Sequence, residues 1–135
     1  MNQLILGWFA AVVVAMPPLV HAAEEKSGEI SSEVSTGTSG ADGTRVSKTS
    51  DWTKFTVPDD FAINRDKTHV DVISERGSEH DYDIEYEDNV EVVPGTGLKM
   101  PQTIKARTHA RSSRGPFGGG GGMKINVTFH YVKFK

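Results

Sequence analysis

Two segments of the chain alternate charged and apolar residues with a period of two, and this pattern restricts the fold more than any other feature. In residues 80–87 (HDYDIEYE) the acidic side chains alternate with Tyr82, Ile84 and Tyr86, and in residues 103–111 (TIKARTHAR) cationic side chains alternate with small or apolar ones. A period of two places successive side chains on opposite faces of a strand, whereas a helix repeats every 3.6 residues. Both segments are therefore predicted to be β-strands with one charged and one apolar face.

The charged faces of these two segments are complementary. The acidic row is Asp81, Asp83, Glu85 and Glu87, and the basic row is Lys105, Arg107, His109 and Arg111. We predict that the segments pair antiparallel, with Asp81 opposite Arg111, Asp83 opposite His109, Glu85 opposite Arg107 and Glu87 opposite Lys105. A shift by one residue would set carboxylates against alanines, so the two alternations together fix which residues share a face.

The segregation of charge extends beyond these rows. Residues 51–91 carry thirteen acidic and four basic side chains, while residues 92–135 carry eight basic and no acidic ones. One interpretation is neutralisation within the molecule, where each exposed cross-strand pair adds little stability. The other is that one edge remains acidic and another basic, which predicts salt-sensitive, head-to-tail self-association.

The rest of the chain from residue 51 onward also predicts strands and no long helix. The predicted strands are residues 52–57, 68–75, 80–87, 90–93, 103–111 and 123–134. We expect a two-residue hairpin turn at Gly77-Ser78, and we expect the last strand to pair with residues 103–111. The predicted fold class is all-β, a small antiparallel β-sandwich or curled sheet.

The N-terminal third is predicted to lie outside this domain. Residues 1–22 are uncharged and contain an apolar run at residues 4–16, which is typical of a signal peptide cleaved after Ala22. Residues 23–50 are rich in Ser, Thr, Gly and charge, so we predict a flexible arm, with the β domain at residues 51–135. The chain has no cysteine. A periplasmic or extracellular protein without a transmembrane segment in its mature form is the expectation.

The Gly-rich segment at residues 112–122 (SSRGPFGGGGG) is predicted to be a hairpin loop between the last two strands. Loops on rigid sheets often carry binding residues. We predict a partner-binding surface here, with Phe117 as an apolar anchor, Arg111 and Arg114 as anion contacts, and Lys124 as a further partner-binding residue. A protein partner or self-association is expected, and no nucleic acid.

Catalysis is the alternative function. Glu85, Arg107, His109 and His130 could share a sheet face as the general base, phosphate clamp and general acid of a small secreted phosphodiesterase or nuclease. The histidines lack a recognised metal-ligand spacing, so no metal and no cofactor is predicted. The sequence favours a non-catalytic binding or assembly module that uses the charged sheet face and the Gly-rich loop.

Overall fold

The computed structural model describes residues 24–135, and these residues form an all-β sandwich of two antiparallel sheets. The strands are β1 (Glu25–Ser35), β2 (Ser47–Thr49), β3 (Thr53–Thr56), β4 (Phe61–Arg76), β5 (Glu79–Glu91), β6 (Lys99–Arg111) and β7 (Gly122–Lys133). The predicted fold class is thus confirmed. The predicted signal peptide lies outside the described residues.

The two sheets each have a long central strand. Sheet A has the order β1-β7-β4, so β7 pairs on both sides. In sheet B the central strand is β6, with β5 along one side and the short strands β2 and β3, one after the other, along the opposite side. Both central strands alternate buried and partly exposed residues, as expected for strands with one face on a core.

The core lies between the two central strands. Ile104 and Ala106 of β6 and Ile125, Val127 and Phe129 of β7 are fully buried. Tyr82, Ile84 and Tyr86 of β5 are partly buried and pack against this cluster. The alternation in the sequence therefore predicted correctly which face of β5 and β6 points inward.

The register of β5 on β6 differs from the prediction by two residues. The observed pairs set Glu79 opposite Arg111, Asp81 opposite His109, Asp83 opposite Arg107 and Glu85 opposite Lys105. A shift of two residues keeps every side chain on its face, so alternation alone cannot distinguish the two registers. The predicted strand at residues 90–93 is not separate, because residues 90 and 91 continue β5 and β5 ends at Glu91.

The expected flexible arm is wrong for residues 25–35, which form β1 and pair with β7 along their whole length. The segment can be polar because two of its inward positions do not require a large apolar side chain. Gly28 leaves room for the ring of Phe129, and Ser32 is hydrogen-bonded to Thr108 and Ser50 in the interior. Residues 25–50 thus contribute strands β1 and β2 to the sandwich rather than a linker.

Both predicted hairpins are also wrong. At Gly77-Ser78 the chain passes from β4 in sheet A to β5 in sheet B, and at residues 112–121 it passes from β6 in sheet B to β7 in sheet A. The last strand therefore does not pair with β6 but lies across the core from it. The alternation of β7 suits any neighbouring strand, so it does not specify the sheet to which β7 belongs.

Candidate functional site

The outer face of sheet B carries the charged rows of β5 and β6 in direct contact. The Asp83 carboxylate accepts a hydrogen bond from Arg107 Nε at 2.8 Å, and it lies 2.7 Å from His109 Nε2. Lys105 Nζ lies 2.6 Å from Glu87 and 3.6 Å from Glu85. Several contacts are diagonal, so Asp83 reaches the predicted partner His109 although Arg107 is its direct neighbour.

These contacts shift the protonation of the groups involved. Hydrogen bonds from His109 and then Arg107 lower the pKa of the Asp83 carboxyl below its usual value. The hydrogen bond from Lys105 likewise lowers the pKa of Glu87, and the same bond raises the pKa of Lys105. These shifts favour the charged forms of Asp83, Glu87 and Lys105, on a surface where water still screens the interactions.

Two residues that the sequence did not single out complete this face. Trp52, just before β3, has Lys105 Nζ 4.4 Å and Arg107 Cζ 4.3 Å from its ring centroid, distances typical of cation–π contacts. Thr49 of β2 is hydrogen-bonded to His109 Nδ1 at 2.8 Å. A lone tryptophan beside a polar strand gives no periodic signal, so only the order of strands in sheet B identifies its partners.

The charged face is therefore neutralised within the molecule along β6. Each of the four side chains of the basic row has a carboxylate within 4 Å, including Arg111, whose Nη1 lies 3.6 Å from Glu79. This arrangement favours intramolecular neutralisation over a basic row left free for an anionic ligand.

The four residues of the phosphodiesterase hypothesis do not meet. Arg107 and His109 lie on the outer face of sheet B and bind Asp83 rather than Glu85, whose nearest cation is Lys105. His130 alternates with the buried residues of β7 and so lies on the outer face of sheet A, where it is 3.3 Å from Glu25. The core separates His130 from the other three side chains.

The Gly-rich segment is a structured loop and not a loose one. Its backbone is hydrogen-bonded to the segment at residues 36–46: Thr36 N donates to Gly121 O, Ser39 N to Gly118 O, and Phe117 N to Gly40 O. At its base Ser112, which is fully buried, is hydrogen-bonded through Oγ to Ser39 Oγ and accepts a hydrogen bond from Val46 N. We call this end of the sandwich, residues 36–46 with 112–121, the loop end.

Phe117 lies at the tip of the loop end with 70% of its surface exposed. Gly118 N donates to Gly115 O at 3.0 Å, so Gly115, Pro116, Phe117 and Gly118 form a β-turn. Proline at the second position and a positive φ of 57° at Phe117 fit a type II turn, whose third position favours glycine. The chain thus holds an exposed aromatic residue at a position that disfavours it.

The other predicted partner-binding residues lie around the loop end on different faces. Arg114 is exposed in the same loop as Phe117. Lys124 is on the outer face of sheet A, near the start of β7, and Arg111 is on the outer face of sheet B, at the end of β6. An open groove of about 630 Å³ runs beside Arg111 between β2 and β5. Within residues 24–135 the buried Nε of Arg111 has no hydrogen-bond partner.

Residues 24–135 contain no group of three or more histidine or carboxylate side chains placed to hold a metal ion. This part of the chain also has no helix long and apolar enough to cross a membrane. Comparison with protein-family models, curated proteins and solved structures found no match.

Proposed function

We propose that the protein is exported and works as a non-catalytic binding module, which contacts a protein partner through the loop end. The observation that carries this proposal is Phe117, an exposed aromatic residue in a left-handed backbone conformation. Strained conformations of this kind persist only where the surrounding structure holds them, and they are concentrated at binding and active sites. Glycine or asparagine would suit this turn position better, so the phenyl ring has a use other than folding.

The loop end is preorganised for binding. Backbone hydrogen bonds between its two segments, residues 36–46 and residues 112–121, fix the position of the ring before a partner arrives. A rigid loop loses less conformational entropy on association than a mobile one, which strengthens binding without any additional contact. Aromatic anchors in such positions are the residues that most often dominate the energy of an interface.

The charge of the loop end points to an acidic partner surface. The loop end has two cations, Arg45 and Arg114, and one acidic side chain, Asp42, so it carries a net charge of +1. Cations at the rim of an interface raise the association rate with an acidic surface and make that rate sensitive to salt. The partner is therefore expected to combine an apolar pocket for Phe117 with carboxylates at its rim.

Export is proposed from the uncharged, apolar sequence of residues 1–22. Expression of the full chain in a secreting host, followed by intact mass measurement of the exported protein, tests it. Removal of residues 1–22, leaving Ala23 as the first residue, is the expected result. An exported or cell-retained chain that keeps these residues would contradict it.

The binding proposal is tested with Phe117→Asn, because asparagine tolerates the left-handed conformation and leaves the fold intact. The matched control is Leu98→Asn, which removes an apolar side chain that is 53% exposed just before β6, at the opposite end of the sandwich. The two variants and the unmodified protein are immobilised and incubated with the exported fraction of the source cells, and bound proteins are quantified by mass spectrometry.

We expect at least one protein to be retained by the unmodified chain and by Leu98→Asn but lost with Phe117→Asn. Its retention should also fall with added salt. Identical sets of bound proteins for all three chains would contradict the proposal. If the retained protein is a second copy of the same chain, the loop end is an assembly surface rather than a site for another protein.

A further inference from the structure

Strand β5 is an edge of sheet B. It pairs with β6 from Glu79 to Glu91, and among residues 24–135 no other strand pairs with it. An edge strand presents a row of backbone N–H and C=O groups on its free side, and a chain in extended conformation can bind to that row. β4 follows the same side of the sandwich but belongs to sheet A.

Side chains of β4 contact side chains of β5 in two regions, and a segment of β5 lies between these two regions. Near the turn, His80 Nδ1 lies 3.3 Å from Glu75. Farther along, the Tyr86 hydroxyl is hydrogen-bonded to Thr68 Oγ1 at 2.7 Å, and Arg65 lies 5.2 Å from the Tyr86 ring centroid. Residues 81–85 lie between these bridges, and we call them the β5 window.

The sandwich is open beneath the β5 window. Val72 of β4 is paired opposite Ile125, which is fully buried, so Val72 points toward the core. Residues directly opposite on paired strands share a face. Val72 nevertheless exposes 46% of its surface, and Ile84 on the inner face of β5 is only partly buried. Apolar surface of the core face is therefore accessible at this edge.

The outer face of the window keeps unneutralised negative charge. Asp81 is exposed and forms no ion pair with any residue of the described chain, although its Oδ1 accepts a hydrogen bond from the backbone N–H of Tyr82 at 2.7 Å. Glu85 is also exposed, and Lys105, its cation at 3.6 Å, is closer to Glu87 at 2.6 Å. A ligand that lies along the window therefore meets carboxylates on one side and apolar surface on the other.

We infer that the β5 window binds an extended segment of a partner protein by strand addition, and that this segment alternates cationic with apolar side chains. Its backbone extends sheet B, its apolar side chains cover Val72 and Ile84, and its cations face Asp81 and Glu85. β6 already has this pattern on the other side of β5, where Lys105 and Arg107 alternate with Ile104 and Ala106. The site is separate from the loop end and does not depend on Phe117.

The experiment uses two fluorescent nine-residue peptides and the mature protein. One has the sequence of residues 103–111, TIKARTHAR, which already pairs with β5. The other has the same composition but with its cations adjacent, which destroys the alternation. Fluorescence anisotropy gives the affinities, and hydrogen exchange measured by mass spectrometry locates the binding.

We expect the alternating peptide to bind more tightly than the rearranged one and to slow amide exchange in residues 81–85. Equal binding of the two peptides would overturn the inference. So would binding that leaves exchange in β5 unchanged, or slow exchange in β5 that grows with protein concentration when no peptide is present, since the occupant would then be a second copy.

Variants separate the charge and apolar contributions. Asp81→Lys with Glu85→Lys should weaken binding of the alternating peptide by about tenfold, and Val72→Lys by a similar factor. The matched control is Glu29→Lys with Glu33→Lys on β1, which makes the same change in net charge on exposed positions of sheet A. That control and Phe117→Asn should bind the peptide as the unmodified protein does. Equal weakening by the β1 control would overturn the inference, because only net charge would then matter.

Discussion

The conformation of single residues at the loop end follows from backbone geometry rather than from side-chain packing. Phe117 has a φ of 57° in a turn that favours glycine at that position. For a residue with a Cβ, the left-handed conformation costs about 1–2 kcal/mol, and asparagine tolerates it better than most residues. The folded state is therefore less stable with phenylalanine at this position than it would be with glycine or asparagine.

Phe117→Asn should leave the free energy of unfolding unchanged or raise it by up to about 1 kcal/mol. The ring is 70% exposed, so its removal sacrifices little buried apolar area. Urea denaturation followed by tryptophan fluorescence measures the difference. A clear loss of stability would mean that the ring supports the fold, and it would remove the main argument for a binding role.

The consecutive glycines of the same loop are predicted to differ in their tolerance of substitution. A Cβ on Gly121 would lie 2.5 Å from the carbonyl oxygen of Arg111, while a Cβ on Gly119 would meet nothing within 4 Å. Gly121→Ala should cost about 1–3 kcal/mol because backbone atoms must move. Gly119→Ala should leave stability unchanged or raise it by up to about 1 kcal/mol, since the added Cβ restricts the unfolded chain and meets nothing in the folded one. Equal changes in the free energy of unfolding for the two variants, measured by urea denaturation, would indicate that Gly121 does not pack against the Arg111 backbone.

Between elements, the main polar connection of sheet B is the Asp83 carboxylate of β5 with Arg107 and His109 of β6. Because these contacts lower the pKa of Asp83, the ionised form stabilises the folded state. The contribution is complete above the ordinary pKa of 3.8 and is lost as the pH falls below it, through the lower pKa of the folded protein. The carboxylate is partly exposed, so the effect is modest.

Asp83→Asn should therefore lower the urea midpoint at about pH 6, and the difference from the unmodified protein should shrink as the pH falls below 3.8 and the Asp83 carboxyl becomes protonated. Asp81→Asn is the control, since Asp81 belongs to the same row but has no ion pair among the described residues. Its effect should be smaller at neutral pH. Equal losses for the two variants at about pH 6 would contradict a specific role for Asp83.

The sequence predicts a strand well where its inward side chains are apolar, and poorly where they are small or polar. The alternation of residues 80–87 and 103–111 gave the inward face of β5 and β6 correctly, but it repeats every two residues and so left the register open. β1 was missed because its inward positions include Gly28 and Ser32, which are filled by the Phe129 ring and by a buried hydroxyl network. Contacts of this kind lie between distant segments, and composition does not reveal them.

For β1 we expect hydrogen exchange to decide between a flexible arm and a strand. Residues 25–35 pair with β7, which is protected on both sides, so their hydrogen-bonded amides should exchange far more slowly than those of an unstructured chain. Ala41 and Asp42, which lie in a turn and whose amides donate no hydrogen bond to any other described residue, provide an internal comparison. Equally fast exchange in both segments would restore the flexible arm.

At the scale of the whole molecule, the fold brings an acidic part of the chain against a basic one. β5 and β6 come from the two oppositely charged parts, and every side chain of the basic row pairs with a carboxylate of β5 within one molecule, while Asp81 of the acidic row forms no ion pair among the described residues. The chain retains a net charge of -3, which opposes association of identical copies at low salt. Intramolecular pairing therefore leaves little charge to drive the head-to-tail assembly that the sequence also permitted.

In the absence of a partner we accordingly expect sedimentation velocity to show a monomer at both about 10 mM and about 500 mM salt. The screening length is about 30 Å at the lower concentration and falls well below 10 Å at the higher one, so any association between an acidic edge and a basic one would be strongest at low salt. Lys105→Glu removes the cation that pairs with Glu85 and the nearer of the two cations that pair with Glu87, which keeps Lys54 at 3.5 Å, and it serves as a control for altered surface charge. A larger species that forms at low salt and dissociates at high salt would mean that pairing within the molecule is incomplete. Copies would then join through opposite charges, and because such a contact is heterologous, fibres or rings would be the expected assemblies.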